Sequence, residues 1–351
     1  MTVHIGKFIW DITYSCPLRC GHCYSESGRR PVRTLDRDNA MRIVDVILAA
    51  QAKKVSISGG EPLSVRWAPE AMKRMHDAGI AVTLFTSGWS VTERMAASLT
   101  DAVTSIAVSI DGADASIHDT IRARAGAFER GMKALDILHR VKEERKAAGQ
   151  SCFTLGIDYT LTRSGAREED LERFVKAASE RFPKLDFIRF GAVIPSGMAA
   201  EREFEANELL SIQELVDLIE VGQRFNAREG NTIDISVTDV RYFLPQPGVS
   251  VVDLDILQIE PDGALRAFPI YEAKVGNVLQ NSLDVLWPKV REWRADPFVI
   301  EQMESVHTMA DWASTTRILD RRYGSTDDQE RIARRGQPAL EFEAELETEL
   351  V

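Results

Sequence analysis

Cysteine is scarce in this chain, with four in 351 residues, and three of them fall within eight positions. A disulfide framework spreads its cysteines along the sequence, so this clustering excludes one and points to metal ligation. Long apolar runs are missing as well. No stretch approaches the roughly 20 residues a spanning helix needs, so no membrane is expected as a partner. The first residues, Met1-Thr2-Val3-His4-Ile5, lack the basic-then-apolar pattern of a secretory signal, which makes the expected localisation cytoplasmic. Positive charge is in deficit: 43 Lys and Arg stand against 54 Asp and Glu, a net charge of −11. That excludes sequence-independent nucleic-acid binding, which requires a basic surface to neutralise phosphates. What the chain does have is 44% hydrophobic and 28% charged residues, ordinary for a soluble protein with a sizeable core.

The first two thirds repeat one rhythm, an apolar strand followed by an amphipathic helix. Strands are predicted at Phe8–Thr13, Lys54–Ser58, Ala81–Thr86, Ser105–Ser109, Phe153–Thr160 and Phe187–Val193. Between them, Asp36–Ala52 and Gly126–Arg145 carry apolar residues at helical period. Six βα units imply a mostly parallel sheet, with chemistry at the carboxyl ends of its strands. Periodicity alone does not separate a flat doubly wound sheet from an incomplete barrel. After Pro195-Ser196-Gly197 the rhythm changes. Glu203–Ala227 is predicted as one long helix and Thr232–Val237 as a strand. Ile256–Ile259 and Ala264–Phe268 flank the turn Glu260-Pro261-Asp262-Gly263 as a hairpin. Helices resume over Ser282–Arg294 and Arg317–Arg322. Five glutamates alternate through Glu341–Glu349, and the tail is expected to be disordered.

Cys16-Pro17-Leu18-Arg19-Cys20-Gly21-His22-Cys23 follows the first strand. Its spacing lets one loop curl three thiolates around one cubane and leaves the fourth iron open to chelate a ligand. A zinc site would need a fourth ligand, for which His22 is the one nearby candidate. The Cys-x3-Cys-x2-Cys loop resembles the signature of the radical S-adenosylmethionine (SAM) superfamily, and further motifs follow in that family's order over residues 5–200. Ser58-Gly59-Gly60-Glu61-Pro62 ends the second strand and resembles the segment whose backbone receives the SAM amino group. Thr86-Ser87-Gly88 ends the third. Ser109-Ile110-Asp111-Gly112 and then Ile121-Arg122 resemble the pattern that meets the ribose and the SAM carboxylate; Arg124 is a rival for the carboxylate. Ile194, in Arg189–Gly197, takes the position of the adenine-packing segment.

The resemblance implies a fold that is α/β, a partial (β/α)6 TIM-like barrel with a small α+β C-terminal extension. Residues 1–200 would form the core, 201–325 the extension and 326–351 the acidic tail. It implies Cys16, Cys20 and Cys23 as ligands of a [4Fe–4S] cluster, and Gly59, Gly60, Glu61, Pro62, Ser87, Ser109, Asp111, Arg122 and Ile194 around S-adenosyl-L-methionine. Reductive cleavage of SAM would give a 5′-deoxyadenosyl radical, fed by an external one-electron reductant of flavodoxin or ferredoxin type.

Ile259–Gly263, Val275–Val278 and Ser282–Trp287 resemble the SPASM/twitch extension of peptide-maturing relatives, yet Phe268 stands where those relatives place a cluster cysteine. The remaining thiol, Cys152, cannot hold a second cluster alone. A single cluster favours redox-neutral outcomes such as epimerisation, rearrangement or backbone excision. The expected substrate is a ribosomally made precursor peptide. A separate small leader-recognition protein would be a partner, since the cluster motif begins at residue 16. A small-molecule epimerase, dehydrogenase or mutase is the alternative. Cys152, Tyr14 and Asp158 are the catalytic candidates. Asp11, Tyr159, Arg189 and Asp234 are further polar residues on or near predicted strands, and Trp10 and Trp89 are core or rim aromatics.

Overall fold

A computed structural model describes residues 3–245 and 250–335. Its frame is one ten-stranded sheet. In chain order the strands are β1 (Lys7–Thr13), β2 (Lys54–Gly59), β3 (Ala81–Thr86), β4 (Ser105–Ser109), β5 (Thr154–Leu161), β6 (Phe187–Ala192), β7 (Asp234–Thr238), β8 (Ile256–Ile259), β9 (Ala264–Arg266) and β10 (Lys274–Asn277). β1 to β7 lie side by side in sequence order and all parallel. On the other side of β1 the order runs β8, β9, β10. β8 is parallel to β1, and β9 and β10 return antiparallel. The sheet stays open, with β7 and β10 as its edges, as in an incomplete barrel.

Helices cross between the strands: α1 (Arg37–Ala49), α2 (Ala68–Asp77), α3 (Glu93–Leu99), α4 (Ala115–Arg122), α5 (Ala127–Ala147) and α6 (Glu168–Arg181). Their starts are written in the sequence. Asp36 accepts from the Asn39 amide at 2.8 Å and opens α1, and Asp114 caps α4 the same way. The strand residues beneath the helices are apolar and fully buried, among them Phe8, Trp10 and Ile12 of β1 and Ile157 and Tyr159 of β5. Because side chains alternate along a strand, the opposite, inner face carries Asp11, Ser56, Ser58, Thr83, Ser109, Asp158 and Arg189. A polar inner face enclosed by an apolar shell is what positions the site.

The C-terminal third differs from its sequence pattern in three places. The long helix expected over Glu203–Ala227 is two, α7 (Arg202–Glu208) and α8 (Ile212–Asn226). Leu209 and Leu210 bury their side chains at the break, and Ser211 starts the second helix through a capping box with Glu214. The strand expected at Thr232–Val237 does form, as β7, but it pairs with β6 and so continues the parallel sheet. Three helices follow, α9 (Leu283–Arg294), α10 (Pro297–Glu304) and α11 (Met309–Tyr323). A fourth, α12 (Thr326–Ala333), lies where the tail was expected to be disordered. Capping boxes at Thr308/Asp311 and Ser325/Asp328 begin α11 and α12. The alternating glutamates after Arg335 lie outside the described residues.

Candidate functional site

The cysteine loop leaves the carboxyl end of β1 and is tied down by three neighbours. Arg19 and Gly21 donate their amides to the Arg122 and Ile121 carbonyls at the end of α4, at 3.1 and 3.0 Å. The Met198 amide, from the turn after β6, donates to the Cys23 carbonyl at 3.0 Å. That turn holds Gly197 at φ +57°, where a Cβ would come within 2.3 Å of the Tyr24 carbonyl and 2.5 Å of that of Cys23. Glycine is required there by close approach of two backbones. Within the loop, Arg19 donates to the Cys16 and Leu18 carbonyls at 2.8 and 2.9 Å, and Arg29 donates to the Cys20 carbonyl at 3.1 Å.

Cys16, Cys20 and Cys23 form no disulfide and pack into one small cluster with Leu18, Trp89 and Ala127. Burial pushes the Cys20 thiol up to about 11 against the pull of Arg122, and pushes Cys16 well up. A metal binding here would therefore displace protons. Among the described residues, no three His, Cys, Asp or Glu side chains converge on one point as a single metal ion requires. A cubane makes a different demand, since each thiolate takes its own iron and the three must be spread around it. Three thiols sharing one loop and one packed group, with a guanidinium beside Cys20, fit that demand.

Arg122 is buried, its Nε 2.6 Å from Asp111 Oδ2 and its Nη1 3.8 Å from Cys20 Sγ. Asp111 is fully buried. It also meets His22 Nε2 at 2.9 Å and accepts from the Thr160 amide at 2.9 Å. Burial opposes its charge, but Arg122, His22 and His118 outweigh that and hold the carboxyl well below the usual carboxylate range. Its own backbone amide donates to His118 Nδ1 at 2.9 Å. Asp111 thus acts here as the counter-ion that fixes Arg122 against the thiols. Arg124, the rival, is exposed, with its guanidinium 5.0 Å from the Trp89 ring.

The glycine segment packs against the exit of β1. Gly59 has φ +104°, and a Cβ on Gly60 would lie 2.0 Å from the Ser15 carbonyl. Glu61 is fully buried. It accepts from the Leu63 amide at 3.1 Å, the Thr86 hydroxyl at 2.7 Å, the Ser87 amide at 2.9 Å and the Ser87 hydroxyl. Its carboxylate therefore braces the exits of β2 and β3, with Pro62 buried beside it. Ser87 spends its hydroxyl on that brace. Ser109 stays half-buried on the inner face, and Ile194 is half-buried against the core.

Further into the sheet, strand register aligns Ser109, Asp158, Arg189 and Ser236 across β4 to β7. The Asp158 carboxylate makes no hydrogen bond among the described residues. Burial lifts its pKa to about 6, against the Arg189 charge and with that of Asp111. Asp11 is likewise lifted to about 6 by burial, although it accepts from Tyr24 Oη at 2.7 Å and from Gln258 Nε2 at 2.8 Å. Tyr24 Oη also lies 2.9 Å from Ser58 Oγ. The part of Tyr24 is invisible in the sequence, because a loop residue has no periodicity to betray which way it turns.

Other candidates are placed elsewhere. Tyr14 is fully buried with the Arg30 guanidinium 3.9 Å from its ring centre, facing the charged cluster of the C-terminal third. Tyr159 points to the helix side and donates to the Gly165 carbonyl at 2.9 Å. Trp10 stacks on Trp67 in the core, at 5.8 Å between ring centres. Asp234 is exposed at the start of β7. Cys152 is half-buried just before β5, at the amino end of a parallel strand, whereas the cysteine loop follows the carboxyl end of β1. Phe268 is fully buried among Phe243, Tyr271 and Trp293, with ring centres 5.6–6.5 Å away.

Residues 10–154 match the model of the Radical SAM superfamily. The chain is similar to an AdoMet-dependent heme synthase of Methanosarcina barkeri, 35% identical over 133 residues, covering 37% of this chain and 38% of that one. It is also similar to the mycofactocin maturase MftC of Mycobacterium tuberculosis, 36% identical over 197 residues, 55% of this chain and 46% of the relative. The matches thus span less than half the length of either relative. Among solved structures, Streptococcus suis SuiB bound to its precursor peptide SuiA superposes with a TM-score of 0.65 at 14% identity, over 87% of this chain and 68% of that one, a likeness of fold. No helix among the described residues is long and apolar enough to cross a membrane. With the three-cysteine loop and the strand-end glycines lying inside the matched stretch, residues 10–154 form a radical SAM domain.

Proposed function

We propose that the protein reductively cleaves S-adenosylmethionine at a single [4Fe–4S] cluster on Cys16, Cys20 and Cys23 and takes hydrogen from a ribosomally made precursor peptide. The observation that carries this reading is the thiol loop fixed at the carboxyl end of β1, beside the glycine segment and above a polar inner face. When bound, cluster and SAM together supply a 5′-deoxyadenosyl radical strong enough to attack an unactivated carbon.

The chain's own residues hold, orient and shield. Arg122 sets a positive charge against the Cys20 thiolate, and Asp111 keeps that guanidinium in place. Glu61 fixes the two strand exits over which SAM would lie, with Gly59, Gly60, Pro62, Ser87, Ser109 and Ile194 around it. The apolar shell beneath the helices keeps water from the inner face. Asp158 and Arg189 sit side by side there as an acceptor and a donor without a mutual ion pair, a set matched to the N–H and C=O of a peptide unit.

A peptide substrate is supported by the maturase named among the relatives and by the fold shared with a peptide-bound enzyme. Phe268 at the expected cysteine position supports a single cluster and, with it, a redox-neutral outcome such as epimerisation or backbone excision. A small leader-recognition protein and an external one-electron reductant complete the reading, in a cytoplasmic setting. A second reading, turnover of a small molecule, is favoured by the likeness to a heme synthase. The test is anaerobic reconstitution followed by reduction with SAM. Formation of 5′-deoxyadenosine and about four irons per chain support the proposal. About eight irons overturn the single cluster, and no 5′-deoxyadenosine overturns the reaction. Mass change in a co-expressed precursor peptide separates the two substrates.

A further inference from the structure

The chain is acidic overall, yet around the cysteine loop the sign reverses. Arg19, Arg29, Arg124, Arg130 and Lys133 gather there, and among the described residues none forms a salt bridge. Elsewhere surface arginines are commonly paired, as Arg224 is with Glu168 and Arg181 with Asp136. The largest charges acting on Arg19 are those of Cys16, Cys20, Arg29 and Arg124.

These cations divide by what they touch. Arg19 and Arg29 are spent on the loop's own carbonyls. Arg124, Arg130 and Lys133 are exposed instead. The Arg124 and Arg130 guanidiniums lie 5.0 and 4.2 Å from the Trp89 ring, and Arg130 donates to the Trp89 carbonyl at 3.4 Å. Trp89, Arg130 and Lys133 line a cavity of about 470 Å³ that also includes Glu129, its one carboxylate. Trp89 in turn packs on the group formed by the three cysteines, Leu18 and Ala127. The indole thus meets both an outward basic collar and the cysteine loop.

Charge that water surrounds does little for a buried cluster, since exposed cations are screened within about 10 Å at ordinary ionic strength. Arg122 and Arg19 already serve the thiolates. The collar has its effect outward, on whatever approaches. We propose that Arg124, Arg130 and Lys133 around Trp89 form the docking surface for an acidic one-electron carrier protein. This rests on the reading that the cysteine loop holds a redox cluster. The step moves one electron: the carrier is oxidised by one, the cluster is reduced by one, and no bond or proton passes between the proteins. Such encounters use small interfaces and depend on steering, which speeds association and weakens with salt.

The test compares two reductants on the reconstituted full chain: dithionite, which needs no docking, and a reduced acidic flavodoxin. The double variant R130E/K133E should lower the initial rate of 5′-deoxyadenosine formation with flavodoxin at least tenfold at low salt. Its rate with dithionite should stay within twofold of the parent's. Added salt should slow the parent with flavodoxin and leave the variant little changed. Equal flavodoxin rates for parent and variant overturn the proposal, as does an equal loss with both reductants. A raised KM for a precursor peptide at an unchanged flavodoxin rate overturns it too, assigning the collar to the substrate. A parent that makes no 5′-deoxyadenosine with dithionite instead overturns the cluster reading beneath it.

Discussion

Two regions of this molecule bury charge, and they treat it in opposite ways. Between the cysteine loop and the C-terminal third, Glu26, Glu260 and Glu272 are matched by Arg30, Arg266, Arg331 and Arg335. Arg335 reaches Glu26 at 2.5 and 2.9 Å, Arg266 reaches Glu260 at 2.8 Å and Glu272 at 3.1 Å, and Lys274 reaches Asp328 at 2.6 Å. On the inner face of the barrel, the Asp158 carboxylate has no hydrogen bond and Arg189 no salt bridge among the described residues. Buried charge is tolerated when fully paired and costs stability when it is not. The first region therefore serves structure, and the second leaves its charges without partners among the described residues.

The comparison can be broken in order of expected effect. Replacing Cys20 with Ala should abolish cluster binding and 5′-deoxyadenosine formation, measured by iron content and chromatography. Glu26→Ala takes from Arg335 its short-range carboxylate and leaves Arg331 with Glu272 and Asp328, and should cost about 3 kcal/mol, read from denaturant unfolding. Asp158→Asn removes no hydrogen bond, so its unfolding free energy at neutral pH should stay within ~1 kcal/mol of the parent's or rise slightly. Its substrate turnover should nonetheless fall on the order of 10²-fold through misplacement. Loss of stability without loss of turnover would reverse the roles given to the two regions.

Acidity sharpens the same contrast. Asp158, faced by Arg189, Asp111 and Arg122, has a folded pKa near 6, above the ordinary 3.8. The folded state thus holds this proton more tightly than the unfolded chain. Its favourable contribution is complete below about pH 4 and is lost as pH rises through 6. Asp111 acts in the reverse direction, since its depressed pKa stabilises the fold above pH 4 and fails in acid. Unfolding curves from pH 4 to 7 should fall less steeply for D158N than for the parent. The smallest effect belongs to the surface: Arg224→Ala, which breaks the exposed pair with Glu168, should change stability by less than about 1 kcal/mol.

The barrel strands were legible because period-two apolar runs and strand-end glycines are local signals, and β3 and β4 match their predicted limits residue for residue. The cysteine loop was legible for the same reason. What local pattern could not supply was direction and partnership. Arg122 reads as a free guanidinium in the sequence, yet its counter-ion Asp111 lies eleven positions earlier and arrives only when α4 folds back. Residues 326–335 read as tail because their charges look solvated. Their partners are Glu26, Glu272 and Lys274, which no window around them contains. The break at Leu209–Ser211 was hidden by helix formers on both sides, although Ser211 and Glu214 do spell a capping box.

The clamp of Arg335 on Glu26 joins residues 309 positions apart. During synthesis the amino-terminal strands and the cysteine loop emerge first, and domains fold in that order. Glu26, three residues past Cys23, cannot find its partners until almost all of the described chain has been made. The wall on that side of the cysteine loop is thus the last to close, and if the loop takes a cluster, its thiols have the whole time of translation in which iron and sulfide can reach them.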